Sequence, residues 1–373
     1  MMEMIYIAKD IPLWQVTIWD KKFNNVDKKW QPKTIKYKYL LSDELDSLRV
    51  DDGDVRILYT GKDVGFTTEE LAGDRLSEGE IISIPWGGIP TVKYHKGKFV
   101  TGDNRIATSK DINKLTNKYL YYFMRGNIHE IASYYRGASL KHPCMKDILK
   151  MTISYPSVQE QDKICGQFDV LEQIIEVRKQ ELQLLDDLIK ARFVEMFNLS
   201  DCIYKSLGEC TDFVDYRGHT PELSDEGIIR MVNAKSVGKG FFKYVDEFVT
   251  EETYDAWMHR GFGYPGDILF VTEGHTFGNT CLIPEDMTKF ALGQRVITIK
   301  GKEEIKNAFL CSYMQTDMFW KDINVYRTGG TAQGIRSKDL VKVMVPIPPI
   351  EQQIEFVRFV HKFDKSKVVE IIN

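Results

Sequence analysis

The second half of this chain repeats the first, and that repeat limits its possible folds more than any other feature of the 373 residues. Gly79-Glu80-Ile81-Ile82 returns as Gly266-Asp267-Ile268-Leu269, 187 positions later. Asn104-Arg105-Ile106 with Lys110 returns as Gln294-Arg295-Val296 with Lys300, and Asn117, Leu120 and Met124 return as Asn307, Leu310 and Met314, all at 190. Tyr135-Arg136 matches Tyr326-Arg327 at 191, and the run from Leu149-Lys150-Met151 to Tyr155-Pro156 matches that from Val341-Lys342-Val343 to Ile347-Pro348 at 192. Ordered echoes with a slowly drifting spacing mark a duplicated unit with small loop insertions, whereas chance matches scatter. The length also exceeds one ordinary core, so two like domains are expected.

Coarse structure follows from the repeat. Residues 81–84, 105–108, 268–271 and 296–299 are short apolar or alternating runs behind Gly-acidic or Gly-polar turns, which predicts strands. Residues 151–155 and 341–347 alternate and end at proline, as strands leading out of a domain do. Residues 116–126 and 305–317 have helical spacing. Each half is thus α+β with a mixed, strand-rich core.

The expected organisation is a first domain over 1–156, a spacer helix over 157–198, a second domain over 199–348 and a short C-terminal helix over 349–373. Ser157-Val158-Gln159-Glu160 has the form of a capping box, in which hydroxyl and carboxylate satisfy the exposed donors of a helix start. From there Ile164, Phe168, Leu171, Ile175, Arg178, Leu182, Leu185, Ile189, Arg192 and Met196 recur in steps of four and three, a heptad seam interrupted by two arginines. Neither proline nor glycine follows Gly166 in this run, so it predicts a rod of about 60 Å at ~1.5 Å per residue. The other reading is a core helix of one large domain, but the opposite flank (Glu172, Glu176, Lys179, Gln183, Asp186, Lys190) is too polar for full burial. The second copy starts at Pro348-Pro349-Ile350-Glu351-Gln352-Gln353 and continues through Phe356, Val360, Phe363 and Lys367. Its roughly 24 residues give only ~36 Å of helix. An antiparallel pair would leave the N-terminal part of the first seam bare unless another chain covers it.

These motifs resemble a known family. Gly266-Asp267-Ile268-Leu269, Gln294-Arg295, and the exit strand Val343-Met344-Val345-Pro346-Ile347-Pro348-Pro349 with Glu351-Gln352-Gln353 look like recurring signatures of type I restriction-modification specificity subunits. So does Asp215-Tyr216-Arg217-Gly218-His219-Thr220-Pro221 followed by Ile229-Arg230-Met231-Val232-Asn233. The first half matches through Tyr155-Pro156, Gln159-Glu160-Gln161 and Arg136-Gly137, so the resemblance covers nearly the whole chain. It implies an α+β fold of two similar target recognition domains separated by long coiled-coil helices, with a pseudo-two-fold repeat. Each domain would read one half of a bipartite double-stranded DNA site. The helices would set the spacing and dock two modification subunits, which carry S-adenosylmethionine and methylate adenine; restriction subunits join and cut. The chain itself would be non-catalytic and hold no cofactor. Its short second helix departs from the family pattern.

Sequence readout requires amides and guanidiniums on base edges, with hydroxyls and lysines on phosphates. The candidates in the second domain are Arg217, His219, Arg230, Asn233, Lys235, Lys239, His275, Asn279 and Arg327. Thr328 and Gln333 join them from the loop Thr328-Gly329-Gly330-Thr331-Ala332-Gln333-Gly334, whose glycines allow close backbone approach. In the first domain they are Lys93, His95, Lys96, Lys98, Arg136 and Lys141. For each the bland alternative is a solvated surface charge, and for the loop an ordinary flexible connection. Arg105 and Arg295 occupy equivalent positions, which points to structural pairing, because domains with different targets differ where they read.

Composition adds one tension and several exclusions. Lys and Arg number 50 against 54 Asp and Glu, a net charge of -4, whereas a free-standing DNA binder is usually basic. DNA binding then needs positive charge local to two faces, or partner subunits that supply phosphate contacts. The same balance favours a competing reading, a non-catalytic coiled-coil scaffold that organises protein partners. A third, a nuclease or methyltransferase fused to its own reader, lacks its motifs: there is no G-x-x-x-x-G-K-[ST], Asn-Pro-Pro-aromatic, H-E-x-x-H or G-x-S-x-G. The Gly-rich stretch at 261–266 lacks the strand before and helix after that a phosphate cradle requires. No apolar run reaches some 18 residues and residues 1–11 do not form an export leader, so no membrane and a cytoplasmic setting are expected. Cys144, Cys165, Cys202, Cys210, Cys281 and Cys311 lack metal-ligand spacing and read as free thiols.

Overall fold

The computed structural model describes residues 8–20, 35–61, 64–216, 221–328 and 333–362. Arg217, His219, the centre of the loop at 329–332, and Phe363 and Lys367 of the second seam lie outside the described residues. The chain divides into two compact units, residues 1–173 and 174–373.

Among the described residues, the first unit is built on one sheet in the order Thr17–Trp19, Asn104–Ser109, Ser77–Pro85, Lys93–Thr101, Val55–Leu58, Val64–Thr67. Neighbours are antiparallel except the pair Val55–Leu58 and Lys93–Thr101. The central strand buries every residue from Ile81 to Pro85, which is why its sequence is apolar on both faces apart from the small, buried Ser83. Helix Asn117–Gly126 turns Leu120 and Met124, four residues apart and so on one face, into the core with Ile82, Ile84 and Ala107.

The second unit divides the same arrangement between two sheets. One runs Thr211–Asp215, Val296–Gly301, Ile268–Val271, Thr280–Leu282; the other runs Phe248–Val249, Ile229–Val232, Phe290–Leu292. Strand Ile229–Val232 pairs parallel with Phe290–Leu292, as Val55–Leu58 does with Lys93–Thr101 in the first unit. The helix expected over 305–317 is Asn307–Tyr313, and a second helix that the spacing did not predict, Asp317–Tyr326, follows it. The break falls where the Thr316 hydroxyl accepts from the Phe319 N–H at 3.4 Å and caps a new helix start.

The repeat extends to individual hydrogen bonds. Gln161 and Gln353 are both fully buried at the start of a helix. The side-chain oxygen of Gln161 accepts from the Thr116 N–H at 2.8 Å, and its amide donates to the carbonyls of Lys114 and Pro156. Gln353 does the same with Lys306, Glu304 and Pro348, also at 2.8 Å for the first bond. Asn117 accepts from the Ser109 N–H and donates to the Glu80 carbonyl; Asn307 accepts from Gly301 and donates to Gly266. Each unit closes with an exit strand, Thr152–Tyr155 or Met344–Ile347, paired antiparallel to the strand that opens it. Two unlike topologies would not reproduce these networks, because a buried amide is satisfied only when all its partners are in place.

Helix Val158–Met196 is 39 residues long. Its two ends are parts of cores rather than free rod. Gln161 and Cys165 are buried at the start; near the end Ile189, Phe193 and the following Phe197 pack with Phe309, Tyr313 and Phe356. Phe193 stacks on Phe309 with ring centroids 5.5 Å apart. The middle is different. Val170, Ile174, Val177, Leu184 and Leu188 are exposed, while Ile175, Leu182 and Leu185 of the expected seam are half-buried. The seam arginines are held by acids, Arg178 by Glu181 and Arg192 by Glu195 and Glu355. Among the described residues, no helix is long and apolar enough to cross a membrane. The six cysteines are free, and burial pushes the thiols of Cys165 and Cys210 up to about 11, so both stay protonated and unreactive near neutral pH.

Candidate nucleic-acid interface

In each unit the loop after the central strand is tied to a second, glycine-containing loop by the same backbone bond. In the first unit the Gly88 N–H donates to the Lys141 carbonyl at 3.2 Å; in the second the Gly274 N–H donates to the Gln333 carbonyl at 3.0 Å. Both donors are glycines in the left-handed region, with φ of 93° and 99°, where a side chain would strain the backbone. A backbone bridge also stands at the base of the second loop, Arg136 opposite His142 in one unit and Thr328 opposite Gly334 in the other. A residue tied at such a bridge presents its exposed side chain in a fixed position, which readout of base edges requires.

The side chains on this shared frame differ. In the first unit it displays Ile89 and Leu140, 78% and 55% exposed, beside Arg136 and Lys141. Arg136 is paired with Asp147, while the Lys141 side chain has no partner among the described residues. Trp86 and His142 close the base, the His142 Nδ1 donating to the Trp86 carbonyl at 2.7 Å. In the second unit the frame displays His275, Arg327, Thr328 and Gln333, all exposed. Arg327 donates to Asn324, and the side chains of His275 and Gln333 have no partner among the described residues.

The remaining candidates lie elsewhere, and most are engaged. Lys93, His95, Lys96 and Lys98 lie on strand Lys93–Thr101. Lys93 donates to the carbonyls of Tyr59 and Gly61, and Lys98 is paired with Glu69. His95 donates to the Lys98 carbonyl at 3.0 Å, and burial lowers its pKa from the usual imidazole value despite that bond. A neutral ring there adds nothing to a basic face. Lys96 alone of the four has a side chain without a partner among the described residues. In the second unit Arg230 lies between Tyr244 and Phe248 and donates to the Val245 carbonyl. Asn233 and Lys235 both hold Glu247, and Asn279 donates to the Val237 carbonyl. Lys239 is exposed. Among the described residues, no group of three or more His, Cys, Asp or Glu could hold a metal ion.

The equivalent arginines have separate fates. Arg105 is 1% exposed: its guanidinium donates to Asp20 at 3.0 Å and to Asp103, and lies 4.7 Å from the centroid of Trp86 and 5.3 Å from that of Tyr39. This is the structural pairing expected from its repeated position. Arg295 has no such cage. It is 56% exposed, pairs with Glu273 at 3.0 Å, and has a φ of 71°. Sequence reasoning read Arg295 as a structural pairing like Arg105, and passed over Glu273, Ile89 and Leu140. The glycines that hold these loops, 186 positions apart, were the available signal.

Comparison with known proteins places this geometry in context. The family described as "Type I restriction modification DNA specificity domain" matches twice, over residues 45–186 and 212–373. The chain is similar to the type I restriction enzyme EcoR124I/EcoR124II specificity subunit of Escherichia coli, 25% identical over 280 residues that cover 70% of this chain and 66% of that protein. It is also similar to the type I restriction enzyme EcoDI specificity subunit of Escherichia coli, 21% identical over 309 residues covering 73% and 68%. It thus spans about two thirds of the length of these relatives. In fold it resembles the type I restriction-modification S subunit of M. genitalium, with a TM-score of 0.57 and 17% identity over 99% of this chain and 92% of that one.

Proposed function

This chain belongs to the type I restriction modification DNA specificity family, and from that premise we propose that it is the subunit that reads DNA sequence for a type I restriction-modification complex. Each unit reads one half of a bipartite duplex site. The observation that carries this reading is the tied loop pair, which has one backbone frame in both units and different exposed side chains on each. A duplicated reader with two different targets needs that combination: constant where it positions, variable where it reads. The long helix sets the spacing between half-sites. Its exposed row Val170, Ile174, Val177, Leu184 and Leu188 docks the modification subunits, two per complex, and restriction subunits join them. The chain is non-catalytic and cytoplasmic; S-adenosylmethionine and the methyl-transfer chemistry belong to its partners.

The competing scaffold reading draws on the net charge of -4. The two separate on salt. The complex of this chain with its modification subunits, titrated onto a duplex, is expected to lose affinity linearly on a log-log plot against salt, by roughly 0.9 for each phosphate neutralised. A scaffold without DNA readout gives no binding and no slope, and that result overturns the proposal.

A further inference from the structure

We infer that Arg295, positioned by Glu273, is a DNA-contacting side chain of the second unit, presenting the paired terminal nitrogens of its guanidinium to a pair of acceptors. The inference rests on the DNA-reading role proposed above and adds a residue to it. Three observations carry it.

First, the cage that buries Arg105 is missing around its counterpart. In the first unit, strand Thr17–Trp19 is followed by Asp20 and strand Ser77–Pro85 by Trp86, and both hold the guanidinium. In the second, Tyr216 stands in the place of Asp20, and because Thr272 lies opposite Arg295 as Ile84 lies opposite Arg105, the place of Trp86 falls on Gly274, which has no side chain. Tyr216 brings no carboxylate, and its hydroxyl is committed to the Gly261 carbonyl and the Arg260 N–H. Without the Asp20 and Trp86 of the first unit, Arg295 keeps Glu273 as its acid partner and lies exposed to solvent.

Second, the backbone is left-handed at an arginine, where glycine would sit without strain. The conformation is imposed from outside, because the Arg295 carbonyl accepts from the Thr272 N–H at 2.8 Å. A side chain held there at a cost in stability marks a position where the side chain itself is used.

Third, the surroundings aim it. Glu273 forms a bridge with Gly334, and the neighbouring Gly274 ties to Gln333, so Arg295 borders the loop pair that displays His275 and Gln333. Nε of Arg295 donates to Glu273, which leaves both terminal nitrogens without a partner among the described residues. That end-on fork fits either the O6/N7 edge of guanine or two phosphate oxygens.

The test uses the complex of this chain with its modification subunits and a duplex bearing the target mapped from its methylation. Arg295→Gly removes the fork and the backbone strain together, so its Tm is expected to be unchanged or raised. Its affinity for the target is expected to fall roughly five- to 150-fold. If the contact is to guanine, the loss vanishes on a duplex substituted at one position of one half-site, and Arg295→Lys behaves like Arg295→Gly. If it is to phosphate, all duplexes weaken alike, the salt slope drops by about one, and Arg295→Lys restores most of the binding. Glu273→Gln, which keeps the shape and removes the charge, gives a smaller loss in the same pattern. Wild-type affinity, slope and specificity in a folded Arg295→Gly complex overturn the inference while leaving the function intact. Absence of salt-dependent binding by the wild-type complex overturns the function and the inference with it.

Discussion

Gln161 and Gln353 bond the same set of backbone groups 192 positions apart, and each is sealed from water. Replacing either with Ala strands one N–H and two carbonyls in the interior, at a cost of about 2–3 kcal/mol once part of the deficit relaxes. Urea denaturation of the two variants is expected to show similar losses; a large loss for one and none for the other would mean that the repeat is not structural at this level. The sequence made these residues visible as a recurring Gln-rich signature but not as buried clamps, because nothing local distinguishes a buried amide from a solvated one. Arg105 and Arg295 make the same point. Their equivalence was legible, and its structural consequence correct for Arg105, but the fate of each depends on Asp20 and Trp86 in one unit and on Tyr216 and Gly274 in the other, neighbours that only the fold brings together. Most candidate lysines and arginines were chosen by type alone, and contacts such as Lys98 with Glu69 were beyond local reading.

Periodicity served well for whole elements and less well at their ends. The strands around Ile81, Arg105, Ile268 and Val296 lie where alternation and turns placed them. In the second unit the helical spacing was read only to residue 317, so the helix Asp317–Tyr326, which Thr316 caps, went unread and the first helix was drawn past its end at Tyr313. In the long helix the heptad was legible, but its division into buried ends and an exposed middle was not, since Phe193 and Phe197 look like seam or flank until Phe309 and Phe356 meet them. That division predicts two kinds of variant. Phe193→Ala empties a site between aromatic rings and is expected to cost about 3–5 kcal/mol. The pair Leu184→Lys and Leu188→Lys, on the exposed middle, should change stability by no more than about 0.5 kcal/mol each, yet abolish co-purification of the modification subunits. Undiminished co-purification from the doubly substituted chain would remove this face as the docking surface.

For the molecule as a whole, two units of one topology account for the repeat, and different side chains on matched loops account for a reader that needs two targets. The repeat was legible because its spacing drifts by only a few residues over the chain. The loop frame was not, because it consists of backbone bonds between segments some 50 to 60 residues apart, Gly88 to Lys141 and Gly274 to Gln333. The net charge of -4 stands as a global average that says little about two local surfaces. The most direct test is a genome-wide map of adenine methylation in cells with this gene intact and with it deleted. Two short half-sites separated by an unread spacer, methylated in the first strain and bare in the second, are the predicted result. An unchanged map, or the loss of a single unbroken motif, would contradict a chain in which two like units each read their own half of the site.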